Sequence, residues 1–426
     1  MDPALKEAAI SGDVEFLKEA FSKQPLEYFL TQTPKGQDED TICGNIFHLA
    51  TWNDKVEFIR EAMTLLPKDI QKRLLFQAEL GSWFPLHAAA AACKRKSNDI
   101  VVLMKQMYAS FSLSYEDEDG LVKPWLALTA DKRTPLHLAL ACKNKKCAME
   151  ILTMDTEFES CTIVDSHGNT PLYYALKTGC SLVAETILMS PLSSSSIFAS
   201  TNNVLTPFSC AARCSDVVLR LLFEKCHDWL DKMYDDGSTI LHKWAEDGEA
   251  RLCKLVLEGG NNVGEARAKI FKRLVFVKEN MMQNTPLHIA ARKKDSELAQ
   301  LIIRGYQQQQ VSTGEDEIQE LVAVECPPWR LQNRHGNTPL HIALIKTSKH
   351  EQLALEILSV DPTLCKIRNN RGESPFFLAA TSGCAQAVDA IMKIEEPRFQ
   401  MLRRNDGATV LHGLSSCPGT NYITLK

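Results

Sequence analysis

The 426-residue sequence predicts an all-α fold, a solenoid of about eleven helix-turn-helix units with β-turn fingers, and three observations predict it. Thr-Pro-Leu-His at Thr134 to His137 returns at Thr285 to His288 and at Thr338 to His341, with weaker copies opening at Thr170, Thr206, Thr239, Ser374 and Thr409. Most spacings run from 33 to 36 residues, with longer gaps of 46 and 53. A turn signal rich in Asn, Asp and Gly precedes most copies. Apolar residues at helical spacing follow, as in Leu298, Leu301, Ile302 and Leu353, Leu355, Ile357, Leu358. A unit this short buries its apolar face only against its neighbours.

Each motif position has a physical reason. The Thr hydroxyl can cap orphan N–H groups at a helix start, and Pro beside it occupies the first helical position, where no donor is needed. The Leu points into the stack. Small pairs such as Ala290-Ala291 and Ala379-Ala380 let a neighbouring helix approach. Ahead of the threonine, Asp165 to Asn169, Asp235 to Gly237, Asn333 to Asn337, Asn369 to Gly372 and Asn405 to Gly407 carry the Gly, Asn and Asp of a tight turn. The motif followed by x-Ala resembles the ankyrin repeat, a β-turn plus two helices in about 33 residues. Looser copies lie at Ile46 to Ala50 and Phe84 to Ala89, and Leu5 to Phe21 reads as a first helix pair.

The chain divides into an N-terminal capping repeat at 1–41, divergent repeats with an insertion at 42–133, central repeats at 134–284, C-terminal repeats at 285–405 with a loop at 306–332, and an incomplete last repeat at 406–426. Net charge is −5 and pI near 6.2, so no basic field invites nucleic acid. No secretory start and no membrane-length apolar run is present. The expected location is cytoplasmic, with the inner face of the plasma membrane reached through a partner as the alternative.

Seven of the 11 histidines, His48, His87, His137, His242, His288, His341 and His412, share one motif slot, which predicts repeat-to-repeat hydrogen bonding rather than catalysis. The 14 cysteines include no Cys-x-x-Cys knuckle. Cys180 and Cys384 fall at equivalent scaffold positions, which reads as buried reduced thiols and argues against zinc and against disulfides. No Gly-x-Ser-x-Gly elbow, phosphate loop or His-Glu-x-x-His helix occurs. The expectation is therefore no catalytic residue, no metal and no cofactor.

Specificity is expected where the chain departs from the repeat. One surplus segment holds Glu116 to Gly120 with Pro124-Trp125; another holds Gln307 to Gln310, Glu315 to Glu317 and Cys326 to Trp329. These read as solvated loops, with Trp125 and Trp329 as candidate aromatic anchors for a partner. Pro191 to Asn203 reads as a further loop, and Trp52, Trp83, Trp229 and Trp244 as packing residues. Turn tips and inner helices are expected to line a concave face that binds a protein partner, with Arg334, His335, Asn370, Arg371, Asp235 and Asp236 as the tip candidates.

The start Met1 to Ala9, with Gly12 to Leu17, and Gly336 to Ala343 resemble plant ankyrin proteins of the accelerated-cell-death type. That resemblance implies a role in defence and cell-death signalling at membranes. Its C-terminal membrane domain has no counterpart in Asn421 to Lys426. Two other readings are the cytosolic part of a membrane-tethered or channel-like signalling protein, and a pathogen effector with a hidden enzymatic segment. A stretch between Gly81 and Ala130 that fails to form a helix pair would favour the effector.

Overall fold

The computed structural model describes residues 1–33, 44–79, 82–92, 99–111, 123–198, 207–226, 230–258, 270–271, 273–312, 326–345, 351–394 and 403–415. Among them every regular element is helical, and extended pairing is limited to the isolated bridges Thr33 with Gly44 and Arg403 with Thr409. The chain forms two compact units, Met1–Leu221 and Leu222–Lys426.

The first unit holds repeats 1 to 5 and repeat 6 as far as Leu221, within its second helix. Their first helices are Pro3–Ser11, Ile46–Trp52, Pro85–Ala91, Pro135–Ala141, Pro171–Thr178 and Pro207–Cys210; their second helices are Val14–Lys23, Val56–Leu65, Asp99–Phe111, Lys145–Met154, Ser181–Met189 and Asp216–Lys225. An additional helix, Lys68–Phe76, follows repeat 2. From repeat 1 to repeat 5, first helix packs on first helix and second on second. The helix pair at Pro85–Ala91 and Asp99–Phe111 forms, so the described part of the stretch between Gly81 and Ala130 does not favour the effector reading.

The second unit holds repeats 7 to 11. First helices are Ile240–Asp247, Pro286–Lys293, Pro339–Leu344, Pro375–Thr381 and Val410–Ser415, with second helices Ala250–Glu258, Ser296–Ser312, Gln352–Val360 and Ala385–Ile394. The same pairing of like with like runs through this unit. Repeat 11 shows a first helix, and residues 416–426 lie outside the described set.

The motif builds each unit as its chemistry requires. Thr134 and Thr338 are N-caps, each accepting from the N–H of the histidine three residues on, and Pro follows at the first helical position. Leu136, Leu287 and Leu340 are fully buried. Ala290, Ala291, Ala379 and Ala380 are buried too, at the close approach between helices.

Two expectations are corrected. Ser296–Ser312 is one helix, so residues 306–312 continue it instead of opening the loop assigned to 306–332; Tyr306 is buried on it and meets Trp329 edge to face. The cysteines follow the reduced, buried reading at Cys147, Cys161, Cys180, Cys253 and Cys384, but Cys142 is disulfide-bonded, against the expectation of none. Burial pushes the thiols of Cys147 and Cys161 up to about 12, which keeps them protonated and unreactive. Glu116 to Gly120, Glu315 to Glu317, Trp229 and Asn421 to Lys426 lie outside the described residues.

Candidate functional site

The candidate site is the row of fingers, the turns that precede each first helix. Asp165 opens the finger of repeat 5, its Oδ1 accepting from the N–H of His167 and of Asn169 at 2.9 Å each. Asn333 does the same for His335 and Asn337, and Asn369 for Arg371 and Glu373. The side chain replaces a turn's worth of backbone bonding, which is why Asp or Asn recurs there. Gly336 and Gly372 follow at φ 74° and 76°, and a Cβ on Gly336 would sit 2.3 Å from Asn370 Oδ1. Two demands therefore select glycine at that place: the left-handed backbone and the approach of the next finger.

Adjacent fingers are joined by backbone bonds at equivalent places. Ser166 N donates to Asp131 O, Arg334 N to Met282 O, Asn370 N to His335 O and Asn405 N to Arg371 O, at 2.9 to 3.0 Å. Side chains add a second line. Lys278 Nζ donates to Gln332 O, Gln332 Nε2 to Arg368 O and Arg368 Nη2 to Arg403 O, each reaching one finger on. The finger of repeat 8 is one residue longer, since Glu279 N bonds Asn284 O where Asn333 N bonds Asn337 O. The extra length presents Met281 at 72% and Met282 at 43% exposure.

Beneath the fingers runs a histidine ladder. Thr134 N–H donates to His137 Nδ1 at 3.2 Å, so the proton sits on Nε2, which donates to Asn169 O of the next repeat at 3.1 Å. The same pair of bonds ties His48 to Trp83, His87 to Ala127, His242 to Asn284, His288 to Asn337 and His341 to Glu373. The inter-repeat bonding expected for the slot is therefore present at these six histidines. Burial pushes His48, His87, His137, His288 and His341 down to about 4 and lowers His242, while the carbonyl bond pulls each the other way. In repeat 5, where Tyr173 fills the slot, Thr170 Oγ1 itself donates across to Ile197 O at 2.7 Å.

The tip candidates separate into two kinds. Arg334, His335, Arg371 and Asp235 are exposed, and Arg334 and Arg371 enter no ion pair among the described residues. Asn370 and Asp236 are exposed as well but serve the fingers themselves. Asn370 Nδ2 donates to Arg334 O, and Asp236 accepts from Ser238 N and pairs with Lys243 at 3.2 Å.

Trp329 departs from its expected role as a partner anchor. It is 6% exposed, with Nε1 donating to Asp361 Oδ2 at 3.2 Å. Arg330 binds the same carboxylate, and these bonds overcome its burial and hold Asp361 down at about 2. A large ring with one polar edge was legible in the sequence; its acceptor 32 residues away was not. Trp125 is half-buried and Trp244 buried. The Met281-Met282 tip was missed, because two methionines in a row read equally well as core. Among the described residues no His, Cys, Asp or Glu group could hold a metal, and no helix is long and apolar enough to cross a membrane.

The family match agrees with this geometry. The family model described as ankyrin repeats (3 copies) matches residues 91–196 and 208–313. Among solved structures, the chain is similar to the ankyrin repeat domain of Bcl-3, a unique member of the IkappaB protein family, at 18% identity and a TM-score of 0.41, covering 62% of this chain and 99% of that one. No curated protein matches. Capped helix pairs, fingers and family match define the class of fold: the chain carries ankyrin repeats, an architecture that indicates a protein-protein interaction scaffold.

Proposed function

We infer that the chain binds a protein partner through the face made by its fingertips and first helices, and acts as a non-enzymatic scaffold. The observation that carries this reading is the division of labour within each finger. Asn333 and Asn369 are turned inward to hold the turn, while Arg334, His335 and Arg371 beside them make no bond that the fold needs from their charged or ring groups except one contact from Arg334 to Met281 O at 3.3 Å. Side chains held on a rigid frame yet unused by it are suited to recognition.

The pathway is a finer matter. A regulatory role in plant defence or cell death rests on the resemblance of Met1 to Ala9, Gly12 to Leu17 and Gly336 to Ala343, and a station at the inner face of the plasma membrane rests on the same residues. The test is proximity labelling in the native cell, followed by binding of each recovered partner to purified chain. Arg334→Ala with His335→Ala, and Asp235→Ala with Arg371→Ala, should weaken the true partner while leaving the melting temperature unchanged. Full retention of binding by both double variants would overturn the fingertip reading.

A further inference from the structure

We propose that the fingers of repeats 8 to 10 form one composite docking surface for an extended acidic segment of a partner protein, anchored by apolar side chains on Met281 and Met282. The proposal deepens the fingertip reading and rests on it. Charge complementarity carries the choice of occupant. The chain as a whole is acidic at −5, yet the fingers of repeats 9 and 10 expose Arg334, His335 and Arg371, with Lys366 and Arg368 exposed just ahead of the second finger. The one carboxylate within those two turns, Glu373, is buried at 8% exposure and engaged by Asn369 Nδ2. A local cationic field in an anionic molecule attracts negative charge at that place and repels it elsewhere.

The apolar part comes from the finger next in line. Met282 O accepts from Arg334 N, and Arg334 Nη1 reaches Met281 O, so the methionine tip and the first arginine are held side by side by two bonds. The added residue in this finger lifts both thioethers into solvent, where a flexible, polarisable side chain can accommodate varied apolar partners. His335 O in turn accepts from Asn370 N, which fixes Arg371 at the next step. On the other side, Asp235 is exposed in the finger of repeat 7. The row therefore reads acidic, apolar, basic, basic. Its complement is a segment bearing in order a basic residue, apolar residues and a run of Asp or Glu.

The experiment measures fluorescence anisotropy of labelled synthetic peptides with the full-length chain at low and at physiological salt. The probe carries Lys, then Leu-Leu, then alternating Asp and Glu; controls replace the acids by Lys or the leucines by Ser. Expected are saturable binding of the probe, weakening by salt, and loss of about tenfold or more in affinity for both control peptides. The same loss is expected for Arg334→Glu with Arg371→Glu and for Met281→Ser with Met282→Ser. Circular dichroism confirms folding, and Arg334→Gln with Arg371→Gln serves if the reversal unfolds.

Equal binding of the basic control, unchanged binding by both double variants, or tighter binding to an oligonucleotide or to phosphatidylserine vesicles than to the probe would each overturn the proposal. A native partner lost by the arginine variant while the acidic probe fails to bind leaves the fingertip reading standing and removes this one. A native partner indifferent to every tip variant removes both.

Discussion

Acid should weaken this protein well above the pH at which its carboxylates protonate, and the histidine ladder sets the window. His48, His87, His137, His288 and His341 titrate at 6.5 ordinarily and at about 4 in the fold, chiefly because burial disfavours the charged ring. The folded value is depressed, so between pH 6.5 and 4 the unfolded chain binds more protons than the native one. Stability is then fully present above about pH 6.5 and declines as pH falls towards 4. At pH 5 each rung has lost about 2 kcal/mol, and roughly 3 kcal/mol by pH 4. Three rungs in the first unit together amount to about 6 kcal/mol at pH 5, comparable with the whole stability of many domains.

Urea unfolding followed by far-ultraviolet circular dichroism at pH 7, 6 and 5 measures the decline. The decisive comparison is with His341→Gln, which cannot titrate. That variant should be less stable at pH 7 by about 1 to 3 kcal/mol, having lost its bond to Glu373 O. The gap from the parent chain should close by about 2 kcal/mol at pH 5, because only the parent pays the protonation penalty at that rung. A gap constant from pH 7 to pH 5, or a midpoint that does not move with pH, would refute the reasoning.

Other perturbations follow from named contacts. Leu287→Ala or Leu340→Ala removes a fully buried side chain and should cost about 2 to 5 kcal/mol in chemical denaturation without altering tip chemistry. Trp329→Ala should cost about 3 to 5 kcal/mol through lost packing on Tyr306, whereas Trp329→Phe keeps the ring and should cost much less, since Arg330 still satisfies Asp361. Gly336→Ala should lower the melting temperature far more than Gly407→Ala. Both have positive φ, but the added methyl meets Asn370 in the first case and nothing within 4 Å in the second.

The repeat beat, the capped starts at Thr134, Thr285 and Thr338 and the shared histidine slot were legible in the sequence because each is a local rule repeated many times. What escaped notice depends on distance along the chain. Asn370 and Arg371 look equivalent as neighbouring polar tip residues, yet one packs beneath the preceding glycine and the other points away. Only the stacking of one finger on the next separates them. Trp329 reads as a partner anchor because it is an aromatic in a segment that departs from the repeat, and the helix that meets it continues through a glutamine run that propensity alone leaves undecided. Residues 306–312 show the same override: neighbours decide where sequence is neutral.

Each rung of the ladder ends on a main-chain oxygen, a group that every amino acid supplies, so the joint between units is blind to which module comes next. So far as this ladder goes, one repeat can follow another whatever residue supplies the accepting carbonyl. The side chains of His335 and Arg371 carry no part of that ladder, so they can be changed one turn at a time without touching it.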